Sequence, residues 1–310
     1  MDVYKEVRAA LKESCDRCTS GLVALSGGLD STIIAHLREK PDAVAVIAED
    51  FVSTDLTYCQ LAAKEAGLPL SIHSAGTTEI LEAVEETIKI LGNFNDIEIR
   101  NSAVMYMAAD WAKKNGYGSI ITGDGADELF AGYDFMVNMP EDRLAGEIER
   151  VCSIMHFPAQ AIGKSLGIVV ESPFLGDAVV RLASQIPAGL KVGEKDGKRY
   201  GKLVLRKAFE GDIPAQIAWR PKSPMQDGAG TAGLTGLFES LIDGQKFDEE
   251  RLATREKDGV EIRNKESMYY YNIYKKAHGV PARGSGITCP YCRCETGGSK
   301  FCRMCGAFPI

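Results

Sequence analysis

Residues 21–37 read Gly21-Leu-Val-Ala-Leu-Ser-Gly-Gly-Leu-Asp-Ser-Thr-Ile-Ile-Ala-His-Leu37, an apolar run that breaks into a small polar loop and resumes with helical spacing. Leu22 to Leu25 have the character of a buried strand and Ser26 to Asp30 of a turn. Ser31 to Leu37 place Ile33, Ile34 and Leu37 on one helix face. Gly27 and Gly28 can take positive φ and let a ligand approach the backbone. The unpaired N–H groups and positive dipole end of the helix favour an anion. Ser26, Ser31 and Thr32 add hydroxyl donors, and Asp30 adds a carboxylate that makes sense beside phosphate only with Mg²⁺ between them. The stretch therefore reads as a phosphate site. No Gly-Lys-Ser/Thr ends the loop, which excludes a Walker A motif, and it is too short for a Gly-x-Gly-x-x-Gly dinucleotide turn.

Outward from this loop, apolar runs and amphipathic stretches alternate. Upstream, Val3, Val7, Ala10 and Leu11 predict a short helix, followed by Cys15 and Cys18, which read as a redox pair, half a metal site or two ordinary thiols. Downstream, Ala43 to Ala48 predict a second parallel strand, Thr54 to Ala66 a helix stopped by Gly67, and Leu68 to His73 a third strand. Thr77 or Thr78 is expected to cap the next helix, which runs to Gly92; another spans Ile99 to Lys114 and precedes a fourth strand, Ser119 to Thr122. The alternation predicts an α/β fold with a parallel sheet covered on both faces, whose ligands bind beyond the C-terminal strand ends.

A second polar stretch follows the fourth strand: Thr122-Gly-Asp-Gly-Ala-Asp-Glu-Leu-Phe-Ala-Gly-Tyr133. Asp127 is placed to share a Mg²⁺ with Asp30, because both leave strands at one edge of the sheet and two carboxylates with phosphate oxygens suit octahedral Mg²⁺. From 141 to 280 the pattern becomes mostly helical, with Val179 to Ile186 as one apolar helix. In Trp219-Arg-Pro-Lys-Ser-Pro-Met225 two prolines fix Arg220 and Lys222 as cations.

With 310 residues the chain can hold one large domain or two. A net charge of −7 gives no global basic field for nucleic acid. No apolar stretch of membrane-spanning length and no signal-peptide pattern occur, so the expectation is a cytoplasmic protein without membrane association. Five of nine cysteines lie in the last 22 residues, which fits a metal in a reducing compartment better than disulfides. Cys289-Pro-Tyr-Cys292 and Cys302-Arg-Met-Cys305 form two C-x2-C knuckles separated by nine residues, the pattern of a closed, structural Zn²⁺ site. Cys294 is left over. The expected layout is a domain over 1–280, a flexible linker over 281–288 and a zinc ribbon over 289–310.

Taken together, these pieces resemble the synthetase domain of the asparagine synthetase family, within the ATP pyrophosphatase (PP-loop) superfamily, over about Val3 to Met268. The resemblance rests on Ser26-Gly-Gly-Leu-Asp-Ser31, on Ile99-Arg-Asn-Ser102, on the stretch Thr122 to Tyr133, on Pro173-Phe-Leu175, on Leu205-Arg206 and on Trp219-Arg-x-Lys222 with Asp227-Gly228, in that order. It implies that Ser26, Gly27, Gly28, Ser31 and Thr32 cradle the pyrophosphate of ATP, that Gly123 lies near the nucleotide and that Asp30 and Asp127 hold Mg²⁺. The implied reaction is attack of a substrate carboxylate, with aspartate the leading candidate, on the α-phosphate. Ammonia then displaces AMP from the acyl-adenylate. Lys222 corresponds to the family's catalytic lysine and Arg100 is a candidate for holding a substrate carboxylate.

Two departures bear on substrate. Residue 2 is Asp where the family begins a glutaminase domain with cysteine, so the expectation is ammonia from solution or a separate glutaminase subunit. Asp124 stands where the family has Glu, at a position that touches the acceptor. The ribbon also lies outside the family pattern. Arg293, Lys300, Arg303, Tyr291 and Phe301 give it groups suited to RNA, which sets beside amide formation the alternative of a tRNA-modifying PP-loop enzyme. A protein-docking module and a plain stabiliser are further readings of the same segment.

Overall fold

The structure, a computed structural model, describes residues 2–310 and builds one sheet from β1 (Leu22–Ala24), β2 (Asp42–Ala48), β3 (Leu70–Ala75), β4 (Ser119–Ile121) and β5 (Val169–Glu171). The strand order is β3-β2-β1-β4-β5. β1 is central: it runs parallel to β2, with Leu22 opposite Asp42, and parallel to β4, with Val23 opposite Ile121. Successive strands leave β1 on opposite sides, so the strand order reverses there. That is where an open α/β sheet offers a crevice beyond its strand ends.

The chain forms two compact units. Residues 2–47, 53–74 and 108–224 make the first, and 48–52, 75–107 and 225–310 the second. In the first unit α1 (Val3–Arg17) turns Val7, Leu11 and Cys15 into a core with Ile33 and Ile34 of α2 (Leu29–Leu37), Phe130, Phe174 and Phe209. α3 (Leu56–Ala66) ends at Gly67 in the left-handed region, as its sequence requires. In the second unit α4 (Thr77–Leu91) packs against the helix Lys265–His278, which in turn packs against the helix Leu234–Leu241. Aromatic edges fill these seams, with Phe94 and Tyr271 centroids 5.1 Å apart and Phe238 and Tyr270 5.9 Å apart. α5 (Asp96–Lys114) contributes to both units. No helix among the described residues is long and apolar enough to cross a membrane.

The α/β class and the four anticipated strands are present, and several local expectations change. The mostly helical stretch expected over 141–280 is interrupted by a fifth strand, β5, which three residues at a sheet edge are too few to announce by periodicity; Val169 is 61% exposed. An antiparallel hairpin of Gly193–Lys195 with Lys198–Tyr200 was likewise not anticipated. α4 is capped by Gly76 rather than by Thr77 or Thr78. Thr77 instead donates both its backbone N–H and its hydroxyl to Asp50 Oδ2, each at 2.7 Å. Residues 284–288, within the segment expected to be a flexible linker, pair with the ribbon: Gly284 N–H donates to Arg293 O and Thr296 N–H to Ile287 O, each at 2.9 Å.

Cys15 and Cys18 sit at the end of α1 under Arg38, whose Nη1 donates to both their carbonyl oxygens and whose Nη2 donates to Ser20 O. Burial pushes the Cys15 thiol up to about 12 and the Cys18 thiol up to about 11. Neither is a ready thiolate, so of the three readings the two ordinary thiols fit best.

The entry into β1 is fixed from the far edge of the sheet. Glu171 Oε1 accepts from the N–H and hydroxyl of Thr19, and Oε2 accepts from Ser20 N–H at 2.8 Å; Ser20 Oγ donates to Ser119 O at 2.9 Å. Truncation in Glu171→Ala should therefore cost about 1–3 kcal/mol, because it strands backbone donors. The urea midpoint would fall at unchanged slope; an unaltered midpoint would show that the carboxylate does not anchor β1.

Candidate active site

The turn after β1 is shaped by sterics. Gly27 has φ +64, and a Cβ there would lie 2.5 Å from Tyr58 C and Cys59 N, so both the conformation and the space demand glycine. Gly28 caps α2 without a side-chain bond, leaving first-turn N–H groups available to an anion. The hydroxyls brace the loop. Ser26 and Ser31 Oγ are 3.1 Å apart, and Thr32 Oγ1 donates to Gly28 O at 2.7 Å. Arg220 closes the loop from the other side: its guanidinium stacks 3.8 Å from the Tyr58 ring centroid and pairs with Asp55 Oδ1 at 2.7 Å. Arg220 thus braces the loop.

Beyond β4, Gly123 lies so close to α2 that an added Cβ would sit 3.0 Å from Asp30 Cβ. This contact brings Asp30 and Asp127 together, as expected from sequence. What joins them is a residue the sequence reading passed over. Lys202 Nζ lies 2.6 Å from Asp30 Oδ2 and 2.7 Å from Asp127 Oδ1, with its side chain only 4% exposed. Lys222 Nζ binds the other oxygen of Asp127. Burial alone would raise the Asp127 pKa, but the two ammonium groups overcome it and hold the carboxyl well below the usual range. Burial would likewise depress Lys222, and Asp127 with Asp30 outweighs it, so Lys222 stays charged.

Lys202 reaches this place through an unusual backbone. It has φ +55, in the left-handed region, and its N–H donates to Phe130 O at 3.0 Å. Arg206 then fastens the following helix, Leu203–Ala208, by donating to Gly201 O, Ala218 O and Arg220 O. Gly132 makes the approach feasible, since a Cβ there would overlap Asp127 Oδ1 and Lys202 Cε. A lysine ahead of a short helix carries no sequence signal for burial, which is why composition and spacing miss it.

Asp124 forms a separate acidic group. Burial pushes its carboxyl up to about 6, aided by Glu128, Asp127 and Asp30 and opposed by a 2.9 Å bond from Thr122 Oγ1. Tyr133 OH donates to Glu128 Oε1 at 2.5 Å. Arg100 belongs to the second unit. It is 9% exposed, with Nε on Gln226 Oε1 and Nη1 on Thr235 Oγ1 and Glu266 Oε2, each at 2.7 Å.

Two donor sets are chemically matched to metals. Asp30 Oδ1 is buried with no hydrogen-bond partner, so Asp30 keeps a hard oxygen donor beside Asp127, which fits Mg²⁺. Cys289, Cys292, Cys302 and Cys305 have their sulfurs within 4.8 Å of one another, with Cys289–Cys305 at 3.7 Å and Cys292–Cys302 at 3.5 Å. A tetrahedron with Zn–S bonds of about 2.3 Å has edges of about 3.8 Å, so the four thiols fit Zn²⁺.

Comparison with known proteins points the same way. The family profile described as asparagine synthase matches residues 6–160 and 159–272. The chain is similar to the root glutamine-hydrolysing asparagine synthetase of Pisum sativum, 29% identical over 236 residues that cover 69% of this chain and 40% of the relative. It is also similar to asparagine synthetase B of Escherichia coli K12, 27% identical over 291 residues covering 84% and 50%, and to a probable asparagine synthetase of Dictyostelium discoideum, 30% identical over 266 residues covering 76% and 47%. The chain spans half or less of the length of these relatives. A profile match that takes in the loop after β1, the acidic stretch after β4 and both lysines, over most of the chain, establishes that the protein belongs to the asparagine synthase family.

Proposed function

We propose that the chain is an ATP-dependent ligase that forms an amide from a small carboxylic acid, with aspartate as the leading acceptor and ammonia as the nitrogen donor. The observation that carries the reading is the pairing of a glycine-hydroxyl anion loop with two lysines and two aspartates in one cluster of the first unit. In the proposed reaction a carboxylate oxygen of the acceptor attacks the α-phosphorus of ATP, and the bond to pyrophosphate breaks. Ammonia then attacks the acyl carbon, AMP departs with the bonding electron pair, and a proton is lost from nitrogen.

Ser26, Ser31, Thr32 and the first-turn N–H groups of α2 bind the pyrophosphate. Gly27, Gly28 and Gly123 keep its approach clear. Lys222 and Lys202 bring positive charge to the place where negative charge grows on the leaving group. Asp30 and Asp127 would hold Mg²⁺, which when bound neutralises phosphate charge. Asp124, its carboxyl pushed up to about 6, takes the proton from the attacking nitrogen. Arg100 holds the acceptor's other carboxylate, for which a guanidinium fork is suited. The four cysteines of the ribbon hold a structural Zn²⁺.

The experiment that tests this reading measures AMP and pyrophosphate release from Mg²⁺-ATP, with aspartate and ammonium present and each omitted. Release that needs both, with asparagine formed in step with AMP, is the expected result. Stimulation by bulk tRNA without dependence on aspartate would place the enzyme among RNA-modifying relatives instead.

Substitution Lys222→Ala should lower kcat by about 10²–10³ with ATP still bound, the scale of losing one preorganised charge in a closed site. AMP formation at the parent rate would overturn the role given to Lys222. Because Asp124 acts as a base, it works in its ionised form, so turnover at fixed free ammonia should fall as the pH drops through about 6. Asp124→Asn should abolish that limb of the profile as well as most of the activity. A limb that persists in the variant belongs to another group.

A further inference from the structure

The cysteine cluster and the Arg100–Glu266 ion pair both lie in the second unit, and a chain of short contacts joins them. Phe94 N–H donates to Met304 O at 2.9 Å. Arg263 Nη2 donates to Cys305 O at 2.7 Å and to Asp96 Oδ1 at 3.1 Å. Gly306, at φ +73, lies so close that a Cβ would meet Asn95 Oδ1 at 2.6 Å and Asp96 Oδ1 at 2.8 Å. The second knuckle therefore fills the corner where α5 begins. The other knuckle is tied nearby, with Glu261 N–H donating to Tyr291 O at 2.7 Å.

Both partners of the buried ion pair hang from that corner. Asp96 opens α5, and Arg100 follows about one turn later. Arg263 directly precedes Asn264, whose side chain caps the helix Lys265–His278, and Glu266 sits in its first turn. Glu266 Oε2 binds Arg100 Nη1 at 2.7 Å, and Glu266 Oε1 accepts from Tyr270 OH at 2.8 Å. The direction of the guanidinium thus depends on two helix starts seated on one knuckle. Cys289, Cys292, Cys302 and Cys305 are each at most 3% exposed, but a segment this small has too little apolar area to keep its shape without a metal.

We propose that Zn²⁺ bound by Cys289, Cys292, Cys302 and Cys305 is a positioning device for Arg100, holding the starts of α5 and of the helix Lys265–His278 in register so that the guanidinium keeps its bonds to Gln226, Thr235 and Glu266. The proposal rests on the reading of Arg100 given above. It makes the ribbon part of the scaffold that sets Arg100, whatever else touches its outer face.

The test uses the full chain, its Zn²⁺ content, and amide hydrogen exchange before and after stripping with a chelator. One Zn²⁺ per chain is expected, with Co²⁺ giving tetrahedral thiolate spectra. Stripping should speed exchange about tenfold or more over residues 93–102 and 264–270, with α2 unchanged and protection restored by Zn²⁺ but not by Mg²⁺. Gly306→Ala and Arg263→Gln keep all four thiols, so they should retain Zn²⁺ yet raise KM for the acceptor about tenfold at unchanged KM for ATP. Unchanged exchange at both helix starts in stripped protein overturns the proposal. So does an unchanged acceptor KM in both variants when Arg100→Gln raises it. If Arg100→Gln itself leaves that KM unchanged, the reading of Arg100 fails on its own account, and exchange at the two helix starts decides the clamp.

Discussion

A buried ammonium between two carboxylates, Lys202 with Asp30 and Asp127, is the constraint on which the first unit depends. Any one of these charges left alone in so enclosed a place would cost several kcal/mol. Each is tolerable only because the others arrive, and they arrive from three separate parts of the chain: the start of α2, the turn after β4 and the entry to the helix Leu203–Ala208. Lys222 completes the set on Asp127, so two negative and two positive groups balance. The balance explains why the backbone pays for a left-handed lysine at 202 and why glycine stands at 123 and 132, where any side chain would push the partners apart.

The same cluster links fold to chemistry. The sheet reverses its strand order at β1, which sends two polar loops out beyond neighbouring strand ends. One supplies N–H and hydroxyl donors, the other carboxylates. Around them Arg220 and Arg206 are both engaged in bracing: Arg220 against the Tyr58 ring and the Asp55 carboxylate, Arg206 against three backbone carbonyls. Fixed cations in a sequence can thus be scaffolding or chemistry, and only the partners distinguish them.

The second unit follows a different logic. Its ion pair, Arg100 with Glu266, is shielded by Tyr270 and Thr235, and its helices start against a cysteine knuckle rather than on a sheet. The ribbon is bonded to the turn before α5 and to residues 261–263, and its own pairing begins within what composition marks as linker, at Gly284 and Ile287. A Gly-rich, polar segment looks flexible in sequence because nothing local orders it. Here hydrogen bonds with Arg293 and Thr296 of the ribbon supply the order.

The sequence by itself determined the α/β class, the glycine-rich turn at Ser26–Thr32, the acidic turn holding Asp124 and Asp127, and the spacing of the four-cysteine cluster. These are local features: glycine conformation, apolar periodicity and ligand spacing act within a few residues. Tertiary structure alone decided that Lys202 is the cation between Asp30 and Asp127, that Gly132 makes room for it, that Arg220 is structural, and that β5 exists. Lys202 and Asp30 are 172 positions apart, and no local propensity records a contact whose energy appears only once the charges are buried together.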